Sequence, residues 1–131
     1  MRAAFATGIG LWATLGTLAF AATADDLIAY ANCLGQSDGY GRDAAQYGFD
    51  AEANTAANDA RLNRLLTAAQ SPGEEALTEA RRAGEKAWDA RTRALEAQGG
   101  TMSGTAWDDH VAASVACVAV SRQLRDEGLI D

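Results

Sequence analysis

The stretch from Ser71 to Gln98, SPGEEALTEARRAGEKAWDARTRALEAQ, constrains the fold more than any other part of the chain. Leu77, Ala80, Gly84, Trp88, Arg91 and Leu95 recur at steps of three or four, the spacing of one face of an α-helix. Ser71 as N-cap, Pro72 at the first helical position and Glu74 three residues after the cap form a capping-box pattern. Gly99-Gly100 supplies the stop. Glu74, Glu75 and Glu79 fall early and Arg91 and Arg93 late, which suits the helix dipole.

The flanking segments carry weaker helical signals. Asp25-Asp26 can cap a short helix over Leu27–Leu34, with Leu27, Tyr30, Ala31 and Leu34 as its apolar side and Gly35 as its stop. The next segment, GQSDGYGRDAAQYGFD over 35–50, has four glycines and no sustained period, which predicts a long loop. Its Tyr40, Tyr47 and Phe49 have two readings: rings folded back onto a small core, or a contact surface for a partner. Asp50 can cap a helix over Ala51–Ala69 whose apolar side is mostly methyl groups, from Ala53, Ala56, Ala57 and Ala60 to Leu65 and Leu66. The short break at Gln70-Ser71-Pro72 predicts that this helix and the central one pack as an antiparallel pair.

After a Gly99–Gly104 turn, Thr105 can cap a last helix over Ala106–Glu127, ended by Gly128. Val111, Val115 and Val118 mark one stripe of it and Ala113, Cys117, Val120 and Leu124 an adjoining one. So wide an apolar face predicts burial against several neighbours.

Residues 1–24 read as a cleaved secretory leader, with Met1-Arg2 as a positive start, an apolar run to Phe20, and small-x-small at Ala22-Thr23-Ala24. Cleavage follows Ala24, or alternatively Ala21. The remaining 25–131 is one domain and carries no segment that would hold it in a membrane after cleavage. Without Arg2 it has ten Lys+Arg against eighteen Asp+Glu, a net charge of −8. That balance argues against nucleic acid, whose binding depends on neutralising phosphates with Lys and Arg, and against anionic membrane surfaces. It suits either plain solubility or a basic protein partner. The two cysteines, Cys33 and Cys117, form an even count in an exported chain and predict one disulfide joining the first and last helices. The expected fold is a small all-α domain of three or four helices with a long antiparallel pair.

Catalytic or cofactor chemistry finds little support. His110 is the single histidine, with no second histidine or free thiol at ligand spacing, so no metal site is expected. Asp108, Asp109 and His110 are adjacent on a helix, where neighbours point about 100° apart and do not converge. The GGTMSG turn lacks the Gly-Lys-Ser/Thr of a phosphate loop. Asp38 and Asp43 do not match a calcium-loop spacing.

The order of features resembles the LprI-like lysozyme-inhibitor domain family, small exported helical domains of bacteria. The resemblance rests on Cys33, on Asn58 followed by Leu65-Leu66, and on Lys86-Ala87-Trp88 with Arg91 and Arg93. It continues through Gly99-Gly100-Thr101 and Cys117 followed by Ser121 and Arg125. The chain departs from the family pattern at Thr92, where an arginine is usual, at Glu96, where a further cysteine is usual, and after Asn58, where the expected tyrosine is absent. The resemblance implies a non-enzymatic binding protein that occludes the cleft of a basic lysozyme. Trp88, Arg91, Gly99, Gly100 and Arg125 would then be scaffold, with Trp88 on the core seam and the Arg91 head on helix-end carbonyls. The residues themselves suit equally an envelope structural or adaptor module with another protein partner. A small-ligand carrier using the aromatic 35–50 segment is a third reading.

Overall fold

Thr23, rather than Asp25 or Asp26, starts the first helix. Its side chain accepts the Asp26 N–H while the Asp26 carboxylate accepts the Thr23 N–H at 2.8 Å, a reciprocal capping box. The computed structural model describes residues 21–131, so the expected leader lies outside it except for 21–24. From this cap, α1 runs over Ala24–Ala44 and passes directly into a 3-10 turn at Ala45–Tyr47. The predicted stop at Gly35 and loop over 35–50 are therefore corrected: the segment is helical almost throughout. The chain reverses only at Gly48, whose φ of 90° lies in the left-handed region.

Three helices follow. α2 spans Ala51–Leu66 and is capped by Asp50, whose carboxylate accepts the Ala53 N–H at 2.9 Å. α3 spans Glu74–Ala97 and α4 spans Thr105–Asp126. Two predicted caps shift. Gly73, at φ 103°, precedes α3, and the Ser71 hydroxyl accepts the Gly73 N–H at 3.2 Å, holding the turn before the helix. Gly104 precedes α4, so Thr105 is its first residue. The predicted end of α3 is where the structure has it: Gly100 N–H bonds Leu95 C=O at 2.8 Å and Gly99 N–H bonds Glu96 C=O at 2.9 Å, a Schellman closure through two left-handed glycines.

The helices run alternately up and down. α1 and α4 form the long antiparallel pair, stapled by Cys33–Cys117 with 5.6 Å between Cα atoms across a separation of 84 residues. A cross-link of that span restricts the unfolded chain by about 4.5 kcal/mol in the chain-entropy account. The most extensive packing, however, is between α1 and α3, which run parallel; α2 and α3 touch only slightly. The expected pairing of α2 with the central helix is thus corrected, and glycine explains the preference. A Cβ on Gly35 would lie 1.7 Å from the Arg81 carbonyl oxygen, and one on Gly84 would lie 1.8 Å from the Asn32 carbonyl oxygen. The two helices cross backbone to backbone. An interior glycine costs roughly 1 kcal/mol of helix propensity, and here the absent side chain brings two helices into contact along their length.

The buried core lies below this crossing and is built from Leu27, Tyr30, Ala31, Leu34, Leu65, Leu77, Ala80 and Leu124, closed by Ala22 and Ile130. α4 contributes less than its pattern predicts. It lies over one flank of the α1–α3 pair, buries Leu124, and leaves Val111, Val115 and Val118 at 40%, 62% and 57% exposure. A helix with neighbours on one side covers one stripe only. Buried Asn58 ties α2 in: its amide donates to the Asp38 carboxylate at 2.9 Å, and Arg81 donates to the same carboxylate from Nε at 2.6 Å and Nη2 at 3.1 Å. Arg81 also reaches Asp59 at 2.6 Å, so three helices share one charged knot. Among the described residues no helix is long and apolar enough to cross a membrane.

Gly84→Ala tests the crossing. Despite alanine's better propensity, its methyl meets backbone that cannot rotate away, and overpacking of this kind costs ~1–3 kcal/mol. The expected result is a melting temperature lower by several degrees; an unchanged or raised value would mean that the helices do not cross at Gly84.

Candidate functional site

Where α1 ends, the chain places aromatic rings instead of core leucines. Gly48 turns the backbone so that Phe49 returns against Tyr40, their ring centroids 5.5 Å apart and edge to face. Tyr40 meets Trp88 of α3 at 5.8 Å, and Trp88 meets His110 of α4 at 5.5 Å, with Trp107 a further 5.9 Å beyond His110. Five rings from three helices and a turn thus form one string. Gly39 makes room for it, because a Cβ there would stand 2.6 Å from the Trp88 ring.

One side of this string opens as a groove of about 940 Å³ between the end of α1 and the last turns of α3. Tyr40, Tyr47, Phe49 and Trp88 supply its apolar surface; Asp43, Asp89, Glu96 and Arg93 line it with charge, three carboxylates to one guanidinium. The Trp88 indole N–H donates to the Asp43 carboxylate at 2.8 Å, and Arg42 bridges Glu85 at 2.8 Å and Asp89. These polar ties fix the wall. Tyr47 is 85% exposed, Tyr40 48% and Phe49 40%, so the three rings lie at the surface, with Tyr40 and Phe49 packed on each other. Of the two readings open at the sequence, the geometry is that of a surface.

The other residues singled out in the sequence lie as follows. Trp88 is half-buried, lying over Gly39 and forming the groove wall. The Arg91 guanidinium lies 5.7 Å from the centre of the Trp88 ring and donates from Nη2 to the Gln36 side chain at 2.8 Å, rather than to helix-end carbonyls. Gly99 and Gly100 form the turn beyond α3, outside the groove lining. Arg125 lies near the chain terminus, donating from Nε to the Asp131 carbonyl at 3.1 Å. Cys33 and Cys117 are joined away from the groove.

The sequence suggests no metal or catalytic role for His110 and does not place it or Trp107 with the aromatic segment. Their participation depends on α4 docking antiparallel beside α3, which no local pattern announces. The His110 ring faces two indoles, and Asp108 and Asp109 remain exposed on the outer side. Among the described residues, His110 Nδ1 and Arg91 Nε are buried without a hydrogen-bond partner. No set of three or more His, Cys, Asp or Glu side chains among those residues could hold a metal ion. What this arrangement offers is recognition: flat rings for area and carboxylates for charge. No family model, curated protein or solved structure matches this chain.

Burial, together with the nearby Arg91 charge, pushes His110 below its ordinary pKa of 6.5. The unfolded chain therefore takes up this proton more readily than the folded one. The stability that this histidine supports is complete above pH 6.5 and is lost as pH falls through the lower folded-state value. Melting curves between pH 7.5 and 5 should show part of the acid sensitivity disappearing in His110→Phe. Parallel curves for the two proteins would remove His110 as its source.

Proposed function

We propose that this chain is an exported binding protein of the bacterial envelope that engages a basic protein partner through the groove at the end of α1. The observation that carries the reading is the exposed cluster of Tyr40, Tyr47 and Phe49 beside Trp88, rimmed by Asp43, Asp89 and Glu96. Aromatic rings give large contact area with few rotors to freeze. A net charge of −8 accelerates encounter with a basic surface and weakens with salt. The ordered resemblance to LprI-like domains names a candidate of that chemistry, a basic lysozyme whose sugar cleft would be blocked physically.

Purified, oxidised domain added in excess should protect cell walls from a c-type lysozyme in a dose-dependent manner at low salt, and less well at high salt. Tyr47→Ala, at an exposed position, should weaken protection roughly tenfold, as expected for a contact residue worth more than 1 kcal/mol, without changing the melting temperature. If the wild type gives no protection at low salt, the lysozyme assignment fails. The groove is then that of an adaptor whose partner is to be captured from the envelope, with Tyr47→Ala again weakening capture.

The geometry of residues 22 and 23 favours leader cleavage after Ala21 over cleavage after Ala24. Ala22 is buried, and its N–H donates to both carboxylate oxygens of Glu127 at 2.8 and 3.1 Å. Thr23 caps α1. Cleavage after Ala24 would delete both, whereas cleavage after Ala21, behind the small-x-small of Ala19-Phe20-Ala21, keeps them. It would also turn the Ala22 amide into an ammonium facing the Glu127 carboxylate. The intact mass of protein recovered from the periplasm should correspond to a chain beginning at Ala22. A mass smaller by Ala-Thr-Ala would show that the cap is dispensable, and an uncleaved mass would sink the leader itself.

A further inference from the structure

A second concavity, of about 410 Å³, lies beside the disulfide between α1, α2 and α4. Its charge is opposite to that of the groove and of the chain as a whole. Arg61 of α2 and Arg122 and Arg125 of α4 line it, with no Asp or Glu among its lining residues. Of the other arginines among the described residues, Arg42, Arg64, Arg81 and Arg82 each form an ion pair with a carboxylate, and Arg91 and Arg93 do not. Among the described residues Arg61, Arg122 and Arg125 form none. Arg61 donates from Nη1 to the Asn58 side-chain oxygen at 3.3 Å, and Arg125 uses Nε on the Asp131 carbonyl. Three guanidiniums lining one hollow without a carboxylate create a local positive potential that an anion would neutralise.

The rest of the lining completes a site for such an anion. Tyr30, only 4% exposed, lies at its base, with the Arg61 and Arg125 charges close enough to oppose the upward push of burial on its hydroxyl. Ser37 and Ser121 add hydroxyls at the margin, and Leu34, Val118 and the Cys33–Cys117 bridge form an apolar wall. Planar guanidiniums match the paired oxygens of phosphate and carboxylate groups.

We propose that this cleft binds a small oxyanion, phosphate or carboxylate, gripped by Arg61, Arg122 and Arg125 over the Tyr30 hydroxyl. The site is independent of the aromatic groove, which lies further along α1 and takes the opposite charge. It needs no chemistry on the ligand. Because the cysteine staple forms one wall, the site exists only when the first and last helices are joined.

The test is a titration of the oxidised 22–131 chain with inorganic phosphate, at constant ionic strength maintained with chloride, read by the side-chain N–H resonances of arginine and by the melting temperature. Saturable shifts confined to Arg61, Arg122 and Arg125, with a rising melting temperature, are expected. The double variant Arg122→Gln, Arg125→Gln should weaken binding at least tenfold while leaving lysozyme protection or partner capture as it was. Shifts that are linear and spread over the protein, or binding that survives in the double variant, would overturn the site. Should the double variant fail to fold, Arg122→Lys, which keeps the charge but loses the planar fork, must still weaken binding. A parallel arm separates the sources of the anion. Co-sedimentation with phosphatidylglycerol vesicles that phosphate reverses assigns it to a lipid headgroup, and phosphate binding without co-sedimentation assigns a free anion. The absence of both phosphate binding and co-sedimentation would refute the proposal.

Discussion

The crossing of α1 and α3 at Gly35 and Gly84 is the constraint from which the rest of the structure follows. Each glycine faces a carbonyl of the opposite helix, Arg81 for the first and Asn32 for the second. No side chain of any size fits at those two points. The parallel pair becomes the axis of the bundle, with α2 and α4 docked onto it. A domain with so many alanines and so few large apolar residues gains from this arrangement. Close backbone approach replaces bulky side chains as the source of dispersion contact, which is collectively large although each pair is small. The leucine core lies at one end of the crossing, and the staple draws α4 onto the same axis.

The same axis divides the surface by chemistry. Past the crossing, α1 carries Gly39 and Tyr40, so α3 can bring Trp88 across a glycine and the rings can assemble outside the core. Before it, α1 carries Tyr30, Cys33 and Leu34, and α4 brings Cys117, Arg122 and Arg125 alongside. The outcome is an aromatic, carboxylate-lined groove at one position along α1 and an arginine-lined cleft at another. Between them, Asp38, Asn58, Arg81 and Asp59 form the charged knot that fixes three helices in register. A buried network of this kind is costly when broken, because the partners left behind remain desolvated.

The last three helices and the stops of α3 and α4 are legible because their determinants are local, whereas of the predicted caps only Asp50 holds. The 3.6-residue period identified α3, Asp50 announced α2, and Gly99-Gly100 and Gly128 ended their helices because a left-handed residue without Cβ is what a Schellman closure requires. Two cysteines in a chain can pair intramolecularly in one way, so the staple between first and last helices was also written in the sequence. Gly35, by contrast, has the local signature of a stop and is not one. A glycine in a helix is unfavourable in isolation, and whether it ends the helix or sits at a crossing depends on what arrives opposite it.

That dependence marks the general boundary. The sequence by itself determined that the last three helices form, where α3 and α4 end, and that the first and last helices are joined, because those properties rest on neighbours three or four residues away and on residue count. Only the tertiary structure decided which helices touch, since Gly35 against Arg81 and Gly84 against Asn32 join residues far apart in the chain. It alone turned a presumed loop into helix and left the valines of α4 uncovered. It also gathered Tyr40, Phe49, Trp88, Trp107 and His110 into one string and Arg61, Arg122 and Arg125 around another hollow. The surfaces on which a function can act are made by juxtaposition, and juxtaposition is a property of packing.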